Sequence, residues 1–186
     1  MQILDPHMLL LHYFVLPVWL IAGFADWLCH RATEIEHTSG VKETWIHILM
    51  FLEMGTPLLL ALFLEVNALI IALMIVLFFC HEATALWDVS YAVKSRKVTP
   101  VEQHIHSFLE MVPLMALLLV ISRHWPQFLA LFGAGNEAPR FTLTLRADPL
   151  PQGYIIGVLC AIVVFELLPY LEEYLRTRRA KKNAST

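Results

Sequence analysis

The sequence predicts an all-α integral membrane protein with five transmembrane helices, on three observations. Hydrophobic residues make up 58% of the 186-residue chain, charged residues make up only 16%, and the mean hydropathy is +0.64. Soluble domains carry about 25% charged residues. Five apolar stretches are each long enough to cross ~30 Å of hydrocarbon, and one apolar segment that contains His and Glu occurs twice. We therefore treat residues 1–186 as a single membrane domain.

Local signals set the boundaries of the spans, which are predicted at residues 7–28, 44–64, 68–87, 100–122 and 154–175. The chain turns polar at Asp26, and Ser39-Gly40 predicts a turn before the second span. Only residues 65–67 separate the second span from the third, so these two spans form an antiparallel hairpin. Thr99 followed by Pro100 predicts the N-terminus of the fourth helix.

The two ends of the chain and one long connection complete the domain. No Lys or Arg precedes the first apolar run, so this run is interpreted as a span and not as a cleaved signal peptide. Residues 123–153 form a polar outer loop, in which residues 141–146 alternate in polarity and predict a short extended segment. Residues 154–186 comprise the fifth span and a strongly basic tail.

Basic residues orient the chain through the positive-inside rule. The basic tail belongs on the cytoplasmic side, and so does the turn that contains Lys94, Arg96 and Lys97. The N-terminus then lies outside and the C-terminus inside. We expect a multi-pass protein of the bacterial inner membrane.

The repeated segment predicts an internal symmetry. Residues 47–54 (HILMFLEM) return as residues 104–111 (HIHSFLEM) with six of eight positions identical, and each copy leads to a Pro-Leu pair. Ionisable residues are costly in an apolar segment, so the recurrence of His and Glu indicates a common role. The sequence predicts a four-helix bundle built from two parallel helix-pair repeats, residues 7–66 and 67–122, which are related by an axis along the membrane normal.

Carboxylates and histidines concentrate in one layer, at the predicted cytoplasmic ends of the first four spans. Residues four apart share a helix face, as Asp26 and His30 do. Bundle di-iron and di-manganese proteins hold their metals with Glu and His that project inward from facing helices. The candidate metal ligands are Asp26, His30, Glu43, His47, His81, Asp88, Glu102, His104 and His106. The candidate catalytic residues, which would bridge, ligate or relay protons, are Glu53, Glu82 and Glu110.

The two copies of the repeat leave one ligand ambiguous. Alignment of the FLEM segments matches His47 with His104, whereas the Glu-x-x-x-His spacing matches His47 with His106. The two alignments differ by two residues, so both can hold only if the helix of one copy has a local irregularity. We favour His106 as the ligand, and His104 as a residue that supports it or binds a second metal.

A metal centre competes with a metal-free network of salt bridges as the explanation of this layer. Acidic groups outnumber cationic groups there, so a metal-free network would leave negative charge unpaired near hydrocarbon. Ligands that mix oxygen and nitrogen suit iron, manganese or zinc. Cys29, Cys80 and Cys160 lie far apart without a C-x-x-C motif and predict neither a thiolate site nor a disulfide framework. The expected cofactor is dinuclear iron, with manganese or zinc as alternatives.

The layer resembles that of the integral-membrane non-haem di-iron hydroxylases and desaturases, which gather His at the cytoplasmic side of a helical bundle. The resemblance covers the arrangement of spans one to four. The strict HxxxH and HxxHH boxes of that family are absent, and His104-x-His106 is the nearest element. A weaker resemblance is to membrane zinc hydrolases of the alkaline-ceramidase type, which use Asp and several His but have more spans.

These observations predict a membrane metalloenzyme that hydroxylates or desaturates a lipid or another apolar substrate with dioxygen. The alternatives are a zinc hydrolase that acts on a lipid, a transporter that uses Glu53 and Glu110 as a metal or proton pathway, and a haem protein with His47 and His104 as axial ligands. The partners expected are the lipid bilayer, an apolar substrate and an electron donor, and a homo-oligomer is left open. A net charge of -3 argues against nucleic acid.

Overall fold

A computed structural model describes residues 5–184, which are helical apart from the connections. The helices are α1 (Pro6–Ala32), α2 (Val41–Phe63), α3 (Ala68–Ser95), α4 (Pro100–Arg123), the short α5 (Trp125–Ala130) and α6 (Gln152–Asn183). All except α5 are long and apolar enough to cross a membrane. The prediction of an all-α chain is therefore confirmed for the described residues, and five of the helices have the length and apolar composition that the predicted spans require.

The helix boundaries follow from local chemistry. At the start of α3, the Asn67 side chain accepts hydrogen bonds from the backbone N–H groups of Leu69 and Ile70. At the start of α4, Thr99 and Glu102 form a capping box, in which each side chain bonds to the backbone of the other residue. Helix α3 extends to Ser95, beyond the predicted end at residue 87, and α6 includes most of the basic tail.

Two of the long helices contain a π-helical turn. The turn in α1 covers Leu11–Val15, and the turn in α6 covers Val163–Leu167. A π-helical turn inserts one extra residue and redirects the side chains around it, and such turns are frequent at functional sites. The turn in α6 carries Glu166, a buried carboxylate at mid-helix.

Four of the long helices pack as two antiparallel pairs, and α6 packs against one helix of each pair. Helix α2 lies along α3, and α1 lies along α4. The π-helical turn of α6 packs on α1, and the following segment, Leu168–Asn183, packs on α2 and on the 3-10 turn Ile35–His37. The predicted four-helix bundle leaves α6 out, whereas in the structure α6 packs directly against the first two helices.

Apolar side chains fill the end of the bundle away from the basic tail. Ile70 and Ile71 of α3 are fully buried in the larger core cluster, together with Leu117 and Ile121 of α4. A smaller cluster joins α1, α2 and α6 and includes Leu20. Many large apolar side chains on the outer faces of the helices are exposed, as expected for surfaces that contact lipid.

The outer loop runs beside the α2–α3 joint. The predicted extended segment, residues 141–146, makes an isolated β-bridge between Leu64 and Leu145, and residues 5–184 contain no regular strand. Backbone hydrogen bonds run from Glu65 N–H to the Thr144 carbonyl and from Arg146 N–H to the Phe63 carbonyl. These bonds give the short α2–α3 joint backbone partners that an isolated hairpin would lack.

Candidate metal centre

Ionisable side chains from all five long helices meet in one buried cluster, which we call the polar centre. The cluster lies at the C-terminal ends of α1 and α3, at the N-terminal ends of α2 and α4, and in the second half of α6. Its members are Asp26, His30, Glu43, His47, Asp88, Arg96, Glu102, His106 and Glu173. Seven of the nine candidate ligands from the sequence are therefore brought together.

A single carboxylate of α6 holds two histidines of the polar centre. The Nδ1 atom of His30 lies 3.1 Å from one oxygen of Glu173, and the Nδ1 atom of His47 lies 2.9 Å from the other. A carboxylate only accepts, so each Nδ1 carries the hydrogen of its bond. The two imidazole rings stack with 4.3 Å between centroids and 10° between planes. In a neutral ring, this arrangement leaves the Nε2 lone pair available for a metal.

The Nε2 atoms of these two rings face further carboxylates. The Nε2 of His30 lies 3.4 Å from Asp26 and 3.7 Å from Glu102. The Nε2 of His47 lies 3.3 Å from Asp88 and 3.8 Å from Glu43. Within the described chain, neither Nε2 has a hydrogen-bond partner, although both are buried. Buried nitrogens surrounded by acceptors in this way are typical of a site that takes a cation.

Two triads in the polar centre have the spacing of metal ligands. One consists of Asp26, His30 and His106, and the other of His30, Glu43 and His47. Within each triad, one donor atom per residue lies within 4.8 Å of the other two. Metal–ligand bonds of about 2.0–2.2 Å place neighbouring ligands of one ion at comparable separations. In the first triad, the Nε2 of His106 lies 2.9 Å from Asp26.

Arg96 joins the two glutamates of the polar centre. Its guanidinium lies 2.5 Å from Glu43 of α2 and 2.5 Å from Glu102 of α4. The Arg96 side chain is 2% exposed, and both glutamate side chains are fully buried. Burial opposes the charge of Arg96, but its bonds to Glu102 and Glu43 hold its pKa above the ordinary value. The guanidinium therefore acts as a fixed positive charge at the α3–α4 connection.

The charges of the polar centre do not balance without further positive charge. Five carboxylates, those of Asp26, Glu43, Asp88, Glu102 and Glu173, face the single guanidinium of Arg96. With three neutral imidazoles, this count leaves four negative charges, which equal the charge of two divalent cations. With three protonated imidazoles, one negative charge remains. Burying uncompensated charge is costly, so the polar centre takes up cations, protons or both.

The remaining sequence candidates lie outside the polar centre. His81 is buried, and both of its ring nitrogens lack a hydrogen-bond partner among the described residues. Glu53 accepts a hydrogen bond of 2.9 Å from the Thr84 hydroxyl, and one oxygen of Glu82 is buried without a partner in residues 5–184. Glu110 is half-buried. His81 and Glu110 line a cavity that also reaches the polar centre.

The structure separates the two histidines that the repeat left ambiguous. His106 is buried in the polar centre, whereas His104 is exposed and packs edge-on against Phe108 at 5.4 Å between ring centroids. The two residues lie two positions apart, about 200° around a helix, so they cannot face the same centre. The Glu-x-x-x-His spacing, and not the FLEM alignment, selects the histidine that enters the polar centre.

A cavity of about 350 Å³ extends from the polar centre into the bundle. His47, Asp88 and His106 form part of one wall. Most other lining residues are apolar, among them Phe51 and Leu58 of α2. A concave, mostly apolar cavity with a few convergent polar groups is typical of a small-molecule site.

Sequence reasoning missed four residues of this region. Glu173 and Arg96 bind the candidate ligands, and Glu166 and Tyr170 line the cavity. In the sequence, Arg96 indicates only the orientation of the chain, and Glu173 lies in the charged stretch that leads into the basic tail. Spacing offered one usable signal, since Glu166, Tyr170 and Glu173 fall at intervals of four and three on one helix face.

The carboxylate and imidazole groups of the polar centre form a donor set that suits a hard or borderline divalent metal ion. No protein-family model, curated protein or solved structure matches the chain.

Proposed function

We propose that the chain is a membrane metalloenzyme with a dinuclear iron or manganese site in the polar centre, which oxidises an apolar substrate taken from the bilayer. The observation that carries this proposal is the cavity, because its apolar walls reach the same His47, Asp88 and His106 that belong to the polar centre. A ligand layer that opens onto an apolar cavity suits chemistry on an apolar molecule. A salt-bridge network needs no such opening.

The ligand assignment rests on the two free imidazole nitrogens and on the charge count. His30, Asp26 and His106 would hold one ion, and His47 with Glu43 and Asp88 would hold the other. Glu173 would orient both imidazoles through their Nδ1–H groups, as carboxylates commonly do for metal-binding histidines. Arg96 would hold the side chains of Glu43 and Glu102 in place.

When bound, iron with carboxylate and imidazole ligands would supply the activation of dioxygen. The protein would position the substrate and exclude water from the cavity. The apolar walls exclude water and hold a substrate beside His106 and Asp88. Glu110 and His81 also line the cavity, where they would accept or deliver protons.

The contacts of the polar centre support the proposed parallel repeat. Asp26 of α1 pairs with His106 of α4, and Asp88 of α3 faces His47 of α2. A two-fold axis that exchanges the pair α1–α2 with the pair α3–α4 would exchange these two contacts. Arg96 contacts both Glu43 and Glu102 near that axis. The symmetry is broken at His30, because the fully buried Ala92 follows Asp88 by four residues, as His30 follows Asp26.

We also propose the orientation that the basic residues indicate, with the N-terminus outside and the polar centre near the cytoplasmic surface. Lys94, Lys97 and the basic end of α6 lie at the same end of the bundle as the polar centre. This arrangement would give an electron donor in the cytoplasm the shortest path to the metal ions.

A zinc hydrolase is the second candidate. The triad of Asp26, His30 and His106 offers one carboxylate and two imidazoles to one ion, which is the donor set of several catalytic zinc sites. In that case the ion would lower the pKa of a bound water to about 7. A neighbouring carboxylate such as Asp88 would act as the general base.

Metal analysis of detergent-purified protein, combined with optical absorption of the same sample, tests these proposals. We expect about two iron or manganese ions per chain, with loss in His47→Ala and His106→Ala. The control is His104→Ala, which removes an exposed imidazole from the same helix as His106 and should leave the metal content unchanged. One zinc ion per chain would favour hydrolysis, and a metal-free protein after loading with each ion would refute both proposals.

A further inference from the structure

A second, smaller chamber lies next to the cavity beside the polar centre. The first chamber has a volume of about 350 Å³ and the second about 110 Å³. Trp19, Met54 and Leu58 line both chambers, so these three side chains lie between them. The second chamber is lined almost entirely by apolar side chains, with His12 at its outer end.

The two chambers together are long and narrow. Asp26 lines the first chamber and Leu11 lines the second, and both lie on α1. Fifteen residues separate them, which corresponds to roughly 22 Å along a helix. We call the second chamber the outer chamber. A space of this length with so small an outer chamber matches an extended hydrocarbon chain better than a ring system.

The first chamber reaches the lipid-facing surface between α2 and α6. Leu52 and Leu59 of α2 line it, as do Leu159 and Val163 of α6, and all four side chains are exposed. Helix α6 packs against α2 mainly through Leu168–Asn183. The π-helical turn of α6 packs on α1, and the four exposed side chains place the opening of the first chamber between α2 and the part of α6 that precedes Leu168.

We propose that this two-chamber cavity binds a single long hydrocarbon chain, the acyl or alkyl chain of a membrane lipid or free fatty acid, which enters from the bilayer between α2 and α6. The chain end lies in the outer chamber beyond Trp19 and Met54, and the part nearer the headgroup lies beside the polar centre. The inference extends the proposed function by naming a substrate class. The binding itself requires no metal.

Quenching of Trp19 fluorescence by dibrominated stearate tests the proposal on metal-free protein in detergent. Bromine quenches tryptophan on contact, so the wild type should show a saturable component that Trp19→Phe lacks. Gly55→Phe fills the first chamber, where an added Cβ has only ordinary contact with Phe51 at 3.9 Å. This variant should weaken the saturable component about tenfold or more.

A matched control separates binding inside the cavity from adsorption on the outer surface. Gly157 of α6 is exposed, and nothing lies within 4 Å of a Cβ added there. Gly157→Phe should therefore bind dibrominated stearate like the wild type. Equal loss in Gly55→Phe and Gly157→Phe, or equal quenching with and without Trp19, would overturn the proposal.

Chain length provides a second, independent measurement. Ala116 lines the outer chamber but not the first. Ala116→Phe should therefore weaken the binding of stearate while sparing that of decanoate, measured by competition with the brominated probe. Equal loss for both acids would refute the assignment of the chain end to the outer chamber. Bound chains in a protein that takes up no metal would refute the proposed function alone, and bound metal without saturable chain binding would refute this inference alone.

Discussion

The imidazoles of His30 and His47 stack in parallel and share one carboxylate, that of Glu173, through their Nδ1 atoms. Two like rings in contact would repel each other if both were protonated, unless negative charge surrounds them. Glu173 lies on one edge of this pair, and Asp26 and Asp88 lie on the other. Helix α6 therefore fixes the rings, while α1 and α3 supply groups that face their free nitrogens.

Replacement of Glu173 tests whether that carboxylate orients the ligands. In Glu173→Gln, one amide oxygen must serve both Nδ1–H groups, and the amide nitrogen cannot accept. We expect the affinity for metal to fall about 10–100-fold, which is the usual effect of losing such a supporting residue. Titration with the metal and its optical spectrum would report the change.

The neighbouring Glu172 provides the matched control. It lies on the same helix and bonds to Trp27 and Arg176 outside the polar centre. Glu172→Gln should leave the metal affinity unchanged. Equal metal affinities in the two variants would contradict an orienting role for Glu173.

Removal of Arg96 should destabilise the fold strongly. Arg96→Met would leave Glu43 and Glu102 buried without their shared guanidinium. Breaking a buried ion pair by removing one partner typically costs about 3–5 kcal/mol. Thermal unfolding in detergent should show this loss, with exposed Lys97→Met as the control that stays near the wild type.

A compensating variant separates charge from packing at Arg96. The triple variant Arg96→Met, Glu43→Gln, Glu102→Gln removes both unpaired charges and should recover part of the lost stability. If the triple variant is no more stable than Arg96→Met, the loss reflects packing and the electrostatic explanation is wrong.

Gly23 lies close to Glu166, so we expect alanine at Gly23 to affect thermal stability differently from alanine at the open position Gly157. A Cβ at Gly23 would lie 2.5 Å from one carboxylate oxygen of Glu166. Alanine in place of a helical glycine normally stabilises by about 0.5–1 kcal/mol, and Gly157→Ala should show this gain because its surroundings are open. Gly23→Ala should show a smaller gain or a loss, since the buried carboxylate must move.

A double-mutant cycle checks the cause. In the background of Glu166→Ala, the obstruction is gone, so Gly23→Ala should behave like Gly157→Ala. Thermal unfolding of the wild type, the two single variants and the double variant measures the coupling. An unchanged effect of Gly23→Ala in that background would show that Glu166 is not the obstacle.

Acid should destabilise the end of the bundle away from the basic tail through His124, which lies in the α4–α5 connection. Burial, followed by the positive charges of Arg123, Arg146 and Arg140, lowers the pKa of His124 from 6.5 to about 4. The unfolded chain therefore binds a proton at a higher pH than the folded chain does. The contribution of neutral His124 to stability is full above pH 6.5 and is lost as the pH falls towards about 4.

Two variants isolate this titration from other acid-sensitive groups. His124→Gln should lose less thermal stability than the wild type between pH 6.5 and about 4. Arg140→Gln removes one repelling charge and should move the pH midpoint of the loss upwards. Parallel pH profiles of the wild type and His124→Gln would contradict the prediction.

Hydropathy and helical spacing were sufficient to predict the spans and the polar layer. The five long apolar stretches fold as helices because lipid offers the backbone no other partners. Asp26 and His30, four apart on α1, do lie side by side, with 3.4 Å between their closest side-chain atoms. Such local relationships depend only on helix geometry, so one sequence reveals them.

Relationships between helices were beyond the sequence. Whether His104 or His106 faces the centre depends on the rotation of α4 against α1, which packing over the whole helix determines. Arg96 sits in a charged stretch that resembles an ordinary cytoplasmic flank, and only tertiary burial distinguishes it from solvated neighbours. Glu173 sits in a similar stretch, where its spacing from Glu166 and Tyr170 is the one local signal. His81, seven residues before Asp88, shares its helix face but lies two turns deeper, beside the cavity.

The position of Glu173 on the final helix also sets the order in which the protein can mature. Helices α1 to α4, which carry the histidines and the other carboxylates of the polar centre, are synthesised first. The carboxylate of Glu173, which joins His30 to His47, follows some 70 residues after Glu102. A nascent chain halted before α6 would present unpaired ionisable groups to lipid, which is energetically costly. The shared carboxylate that holds His30 beside His47 is thus present only in chains whose synthesis has passed Glu173.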